Sequence, residues 1–183
     1  TFEYVFLKGL APDGGLFIPK SLKKYTKDEL KSFKNSSYQD LAKKIIFPFL
    51  GDFMSKNELS EIIKKSYSVF RKENVVHLAK DEKNSLEIKI LELFHGPTLA
   101  FKDIAMQLIG NFYEYYLKKN NKKINIIVAT SGDTGAAAID AIKGKKNINI
   151  FVLHPHDKIS TVQRKIMTTT KEQNVFNLAI KGH

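Results

Sequence analysis

Apolar and polar positions follow two rhythms along this chain, and the change between them falls near residue 85. Before it, apolar residues recur every three or four positions, the spacing of one helix face. Phe2, Val5 and Phe6 share such a face, and Gly9 is placed to end that helix. Leu59, Ile62, Ile63, Tyr67 and Phe70 make a longer stripe. Capping boxes mark helix starts: Thr26 with Glu29 opens a short helix to about residue 33, and Ser55 with Glu58 opens the one that carries the stripe. Ser37 caps a helix over 38–50, bent or ended near Pro48. Residues 11–15, Ala-Pro-Asp-Gly-Gly, are turn chemistry, and 16–18 read as a short strand.

After residue 85 strands alternate with helices. Apolar runs at 88–94, 124–130, 148–153 and 174–180 predict four strands. Thr98 would cap a helix over 101–119, with Ile104, Ala105, Leu108, Ile109, Phe112 and Tyr116 inward. Asp133 or Thr134 would cap a helix over 135–143, closed by Gly144, and Ser160 would start one to about residue 170. Near-continuous apolar strands alternating with helices predict a parallel sheet covered on both faces. The expected fold class is therefore α/β. A mostly helical region, 1–85, precedes a parallel sheet with flanking helices over 86–183. The last residues, 179–183, follow a buried strand directly and do not read as a natural terminus, so a fragment is expected.

Composition narrows the functional classes. Apolar residues make up 43% of the 183, with 13 Phe, enough for a packed core. The absence of Cys excludes a disulfide framework, a thiolate nucleophile and a Cys-based zinc site. No apolar run reaches the roughly 18 residues that span a bilayer, and a cytoplasmic location is expected. The net charge of +11 suggests nucleic acid, but Arg occurs only at Arg71 and Arg164 among 30 basic residues. Base readout and bidentate phosphate clamps favour Arg, so a dispersed Lys surface points away from a nucleic-acid partner. His77, His154, His156 and His183 lack metal-ligand spacing with acids, and no metal site is expected.

Two segments carry candidate chemistry. Lys102 stands in His95-Gly96-Pro97-Thr98-Leu99-Ala100-Phe101-Lys102-Asp103, directly after the run at 88–94. The carboxyl end of a strand is where open α/β sheets keep their ligands, and a partly desolvated lysine there is a candidate nucleophile. The second is Thr130-Ser131-Gly132-Asp133-Thr134-Gly135, between a strand and a helix. Its glycines allow close backbone approach, and the helix N-terminus offers N–H groups to a carboxylate or phosphate. Taken alone, each has a plain account: a surface lysine on a first helical turn, and an ordinary strand–turn–helix junction. His95 touches a ligand or caps its loop. Together, a lysine and an anion cradle on one sheet edge suit Schiff-base chemistry on an amino-acid-like substrate.

These residues resemble a known family. Phe94 to Asp103 looks like the cofactor-lysine motif of threonine synthases, Thr130 to Gly135 resembles their Ser-Gly-Asp-Thr-Gly loop, and Gly9-Leu10-Ala11-Pro12-Asp13-Gly14-Gly15-Leu16-Phe17-Ile18-Pro19 is similar to their N-terminal signature. The resemblance implies a fold type II enzyme using pyridoxal 5'-phosphate (PLP). It implies a carbon–oxygen lyase reaction in threonine biosynthesis, from O-phospho-L-homoserine and water to L-threonine and phosphate. Lys102 would hold PLP as a Schiff base and shuttle the proton, with Phe101 and Asp133 also on the cofactor. Ser131, Gly132, Thr134, Gly135, His95 and Thr98 would bind substrate. The cradle for the PLP phosphate and the group facing the pyridine nitrogen are expected farther along the chain, so this piece alone is expected to be inactive. Rival readings are a serine/threonine dehydratase or a threonine-synthase-like phospho-lyase of the same fold, a non-enzymatic α/β binding module, and an RNA-binding protein. Oligomeric state is not readable.

Overall fold

The structure, a computed structural model, describes residues 1–80 and 88–181. Its helices are α1 (Phe2–Lys8), α2 (Lys27–Ser32), α3 (Tyr38–Leu50), α4 (Lys56–Tyr67), α5 (Asp103–Lys119), α6 (Asp133–Ile142) and α7 (Thr161–Thr168). Its strands are β1 (His77–Lys80), β2 (Lys89–Glu92), β3 (Ile124–Ala129), β4 (Ile148–Pro155) and β5 (Val175–Ile180). Two compact units divide the chain, Thr1–Lys64 and Lys65–His183. The boundary expected between residues 85 and 86 lies outside the described residues.

In the first unit the caps form as their sequences dictate. Thr26 Oγ1 accepts the Glu29 N–H at 3.2 Å, and Glu29 Oε2 accepts the Thr26 N–H at 2.8 Å. Ser55 and Glu58 repeat the exchange at 3.2 and 2.7 Å. Each cap is worth about 1 kcal/mol by satisfying donors the helix leaves open. The rings of Phe2 and Phe6 stack at 5.7 Å, and both meet Phe53, at 5.0 and 6.0 Å. Helix α3 runs through Pro48 to Leu50 and gives way to a 3₁₀ turn, Gly51–Phe53. The strand expected at 16–18 is instead one antiparallel bridge, Leu10 to Leu16, across the turn that Ala11 N–H closes on the Gly15 carbonyl.

The second unit holds a parallel sheet in the order β3-β4-β5. Strand alternation explains its faces: Ile148, Ile150 and Val152 are buried, while Ile127, level with Phe151 and Phe176 across the sheet, is 70% exposed. Burying each such aliphatic side chain contributes roughly 1.5–3 kcal/mol. Coverage of both faces was expected, but among the described residues the face bearing Ile127, Phe176 and Leu178 stays open. Phe151 and Phe176 stack on that side at 4.7 Å.

The run at 88–94 is a second departure. It does not join the parallel sheet; Lys89–Glu92 pairs antiparallel with β1. β1 leaves no signal in the sequence, because four residues, His77-Leu78-Ala79-Lys80, give too few apolar positions to show a period. Two glycines set the packing of α6. A Cβ on Gly110 of α5 would stand 2.6 Å from the Ala141 carbonyl oxygen, and one on Gly135 would stand 2.4 Å from Thr130 Cγ2. The buried run Ala136, Ala137, Ala138 completes this close approach.

Candidate functional site

Lys102 occupies the N-cap of α5, and the helix begins at Asp103, two residues later than expected. Thr98 does not cap it. The direction is reversed: the fully buried Asp103 carboxylate reaches back, accepting the Thr98 N–H at 2.8 Å and the Thr98 hydroxyl at 2.7 Å. Gly96 makes this possible, since a Cβ there would meet Asp103 Oδ2 at 2.4 Å. Between them Leu99 holds φ +65, a left-handed conformation that costs a non-glycine residue about 1 kcal/mol or more. The loop that presents Lys102 is therefore tied at both ends to one carboxylate. Burial is the main reason the Asp103 carboxyl sits above its ordinary range; the two Thr98 hydrogen bonds pull it down, and the charge of Asp140 pushes it up again.

The Lys102 side chain is half-buried, its ammonium 4.6 Å from the centre of the Phe101 ring. Among the described residues no carboxylate pairs with it. His95 is buried, its Nε2 at 2.7 Å from Glu92 Oε2, and its carbonyl accepts the Arg71 N–H at 2.9 Å. Glu92 is held below the usual carboxylate range chiefly by that His95 hydrogen bond, with Lys72 at 3.5 Å assisting against partial burial.

The loop over 130–135 also differs in its details. Helix α6 starts at Asp133, not at residue 135, and neither Asp133 nor Thr134 caps it. Thr130 does so from outside: its Oγ1 accepts the N–H groups of Gly132 at 3.1 Å and Gly135 at 3.0 Å. The N–H groups of Ser131, Asp133 and Thr134 are left without a protein partner among the described residues. Those three donors, with the hydroxyls of exposed Ser131 and part-buried Thr134, are the groups the expected anion cradle would use. Asp133 Oδ1 accepts Gln163 Nε2 from α7 at 2.7 Å.

The two segments do not share a sheet edge, because β2 lies outside the parallel sheet. Helix packing brings them to one end instead. Thr98 and Ala136 line one groove, Gln107 donates to Asp140 at 2.7 Å, Gly110 abuts Ala141, and Lys145 donates to Asn111 at 2.7 Å. The pairings climb together, so α5 and α6 run side by side in the same direction and their N-termini lie at the same end. The groove behind them, about 460 Å³, is lined by Thr98, Ile139, Asp140 and Ile166 but not by Lys102 or Ser131. The groove therefore touches the lysine motif at Pro97 and Thr98 without reaching the lysine itself.

Three residues of this arrangement had no role assigned from sequence: Asp103, Thr130 and Gln163. For Gln163 a signal existed, since Ser160 and Gln163 have capping-box spacing. Thr130 carried none, because a helix capped from outside its own cap position leaves no spacing to read.

A parallel α/β unit with a lysine loop and open N–H groups at one end of two neighbouring helices has the layout in which α/β domains commonly place their ligands. Comparison narrows the class. Residues 1–67 match the family model described as threonine synthase N terminus. The chain is 42% identical to the threonine synthase of Pseudomonas aeruginosa and 40% identical to threonine synthase-like 2 of Mus musculus, covering 100% of this chain and 38% of each relative. A crystal structure of PLP-bound threonine synthase from Brucella melitensis superimposes with a TM-score of 0.91 at 38% identity, over 100% of this chain and 39% of that one. The family match covers residues 1–67, and the whole chain is similar to threonine synthases while spanning about 38% of the length of the curated relatives it matches.

Proposed function

We propose that this chain contributes the lysine-bearing part of a PLP-dependent threonine synthase, which converts O-phospho-L-homoserine and water to L-threonine and phosphate. One observation carries the reading. The Lys102 amine has no carboxylate partner among the described residues, its loop is tied down by Asp103, and an N–H cradle stands at the same end of the neighbouring helix. Those features fit the cofactor named in the Brucella melitensis structure. When bound, PLP supplies a carbonyl that condenses with an amine and an electron sink for the bonds to be broken.

The chain's own residues then divide the work. Lys102 carries the cofactor and moves a proton at Nζ, which needs an amine that can lose its charge. Phe101 and Asp133 stand with it on the cofactor side. Ser131, Gly132, Thr134 and Gly135 bind the substrate carboxylate, with the open N–H groups of 131, 133 and 134 as donors. Thr98 and His95 have already committed polar atoms to Asp103 and Glu92, so they serve substrate by fixing the loop. The helical region 1–85 and the α/β region 86–183 are the two domains of this reading, and the cytoplasm is its setting. No helix among the described residues is long and apolar enough to cross a membrane.

A second reading, a threonine-synthase-like lyase on a related phospho-substrate, is favoured by the 40% identity to threonine synthase-like 2. The deciding experiment uses the full-length gene product carrying this sequence. Borohydride reduction with PLP should label Lys102, and O-phospho-L-homoserine should yield threonine and phosphate, both lost in Lys102→Ala. Phosphate release without threonine selects the second reading. Absence of a label on Lys102 refutes both.

A further inference from the structure

We infer that Gln163 is a positioning residue, one that orients the Asp133 carboxylate and closes the cradle loop from α7. The inference rests on the reading above, in which Asp133 faces the cofactor.

Gln163 makes hydrogen bonds on both sides of its amide. Its Oε1 accepts the Ser160 hydroxyl at 2.9 Å, and its Nε2 donates to Asp133 Oδ1 at 2.7 Å. The amide orientation is dictated by this pair of partners. Reversal would set the amide oxygen against a carboxylate, two acceptors with no proton between them. Ser160 is itself fixed, because its Oγ accepts the Gln163 N–H at 3.2 Å as the N-cap of α7. The helix start therefore aims one N–H at one carboxylate oxygen on another helix.

Gly132 supplies the space. A Cβ at residue 132 would stand 2.5 Å from Gln163 Cδ and 2.7 Å from Nε2, so the Gln163 amide lies directly over the loop backbone. Gly132 also holds φ +149, which side-chain-bearing residues rarely adopt. A residue that only capped α7 would need neither the vacancy at Gly132 nor the contact with Asp133. The amide takes up one Asp133 oxygen, so the carboxylate cannot rotate freely and its other oxygen keeps a fixed direction.

Capping and positioning can be separated by substitution. Glu is the favoured third residue after a Ser cap, so Gln163→Glu keeps a good start for α7. It replaces the donor with a second carboxylate facing Asp133. Gln163→Met keeps the length and removes both hydrogen bonds. In the full-length gene product, PLP titration followed by visible absorbance reads cofactor binding, and thermal unfolding without PLP reads fold stability. Asp133→Ala is measured alongside. Both Gln163 variants should weaken PLP binding about tenfold or more, the scale of losing a hydrogen bond to a charged group. Gln163→Glu should weaken PLP binding by more than its change in the PLP-free unfolding midpoint accounts for. If Asp133→Ala weakens PLP binding and neither Gln163 variant does, the positioning role is refuted and the site reading survives. If binding falls only in step with the unfolding midpoint, Gln163 is merely structural and the inference fails. If Asp133→Ala binds PLP as tightly as the parent, the place given to Asp133 at the cofactor fails and takes the inference with it.

Discussion

The Asp103 carboxylate holds Thr98 by both its N–H and its hydroxyl, at 2.8 and 2.7 Å. Because Asp103 directly follows Lys102, the same contact that closes the loop fixes the lysine's backbone. Asp103→Ala orphans two part-buried donors and should cost roughly 2 kcal/mol. Asp103→Asn can accept from the Thr98 N–H and donate to its hydroxyl, and should cost no more than about 1 kcal/mol. Denaturant midpoints would test the order. The acid range adds a sign. Burial raises the folded carboxyl above its ordinary 3.8, so its contribution is complete below that value and fades as pH rises through the folded one. Asp103→Asn should flatten that decline, and an unchanged slope would sink the account.

Thr130 offers a second test. Its hydroxyl alone satisfies the N–H groups of Gly132 and Gly135. Thr130→Val keeps the shape and removes the acceptor, with an expected loss of about 1–2 kcal/mol. Thr130→Ser should keep most of the stability. Equal losses in the two variants would show that the methyl, packed beside Gly135, matters more than the hydroxyl.

The contrast between legible and illegible parts follows from range. The caps at Thr26, Ser37, Ser55 and Ser160 were readable because donor and acceptor lie three residues apart. The stripe of Leu59, Ile63 and Tyr67 was readable because helix period alone makes it, and all three are buried. Strands β3, β4 and β5 showed as long apolar runs. What failed needed a partner distant in sequence or a signal too short to see. The run at 88–94 reads as a strand of the parallel sheet because its true mate, β1, is too short to show a period. The Gln163 contact with Asp133 spans 30 residues, and no local pattern announces it. A shared sheet edge was expected to bring Lys102 and the 130–135 loop together; instead the parallel helices α5 and α6 set their starts at the same end.

Gly110 tests that alignment. On propensity alone Gly110→Ala should stabilise α5 by up to about 1 kcal/mol. A Cβ there meets the Ala141 carbonyl oxygen at 2.6 Å, a backbone atom that cannot swing aside. Overpacking of this kind costs roughly 1–3 kcal/mol and should win, giving a net loss. A variant as stable as the parent, measured by urea unfolding, would mean that α5 and α6 lie farther apart than described.

The pair Lys145 and Glu114 fixes the far end of the same helices, and its two members differ in exposure. The Lys145 side chain is 12% exposed and that of Glu114 is 36%. Lys145 donates to Glu114 Oε2 and to Asn111 Oδ1, both at 2.7 Å, and Lys65 reaches the same Glu114 oxygen at 2.6 Å. Burial is the largest influence on each. It drives Lys145 below its ordinary 10.5 against the pull of Glu114, whereas at Glu114 the two lysines outweigh it and hold the carboxyl below 4.5. Removing the acid strands the more buried charge. Glu114→Ala should therefore cost about 2–3 kcal/mol, and Lys145→Met, which leaves Glu114 with Lys65, about 1 kcal/mol. The sign with pH follows. Without Glu114 the folded lysine releases its proton more readily than the unfolded one. The variant thus gains stability as pH climbs from its folded value toward 10.5. The deficit of Glu114→Ala should shrink as pH rises toward 10.5, while that of Lys145→Met should not. Urea midpoints of both variants across the alkaline range below 10.5 decide it, and a deficit independent of pH for Glu114→Ala would mean that Lys145 is hydrated rather than buried.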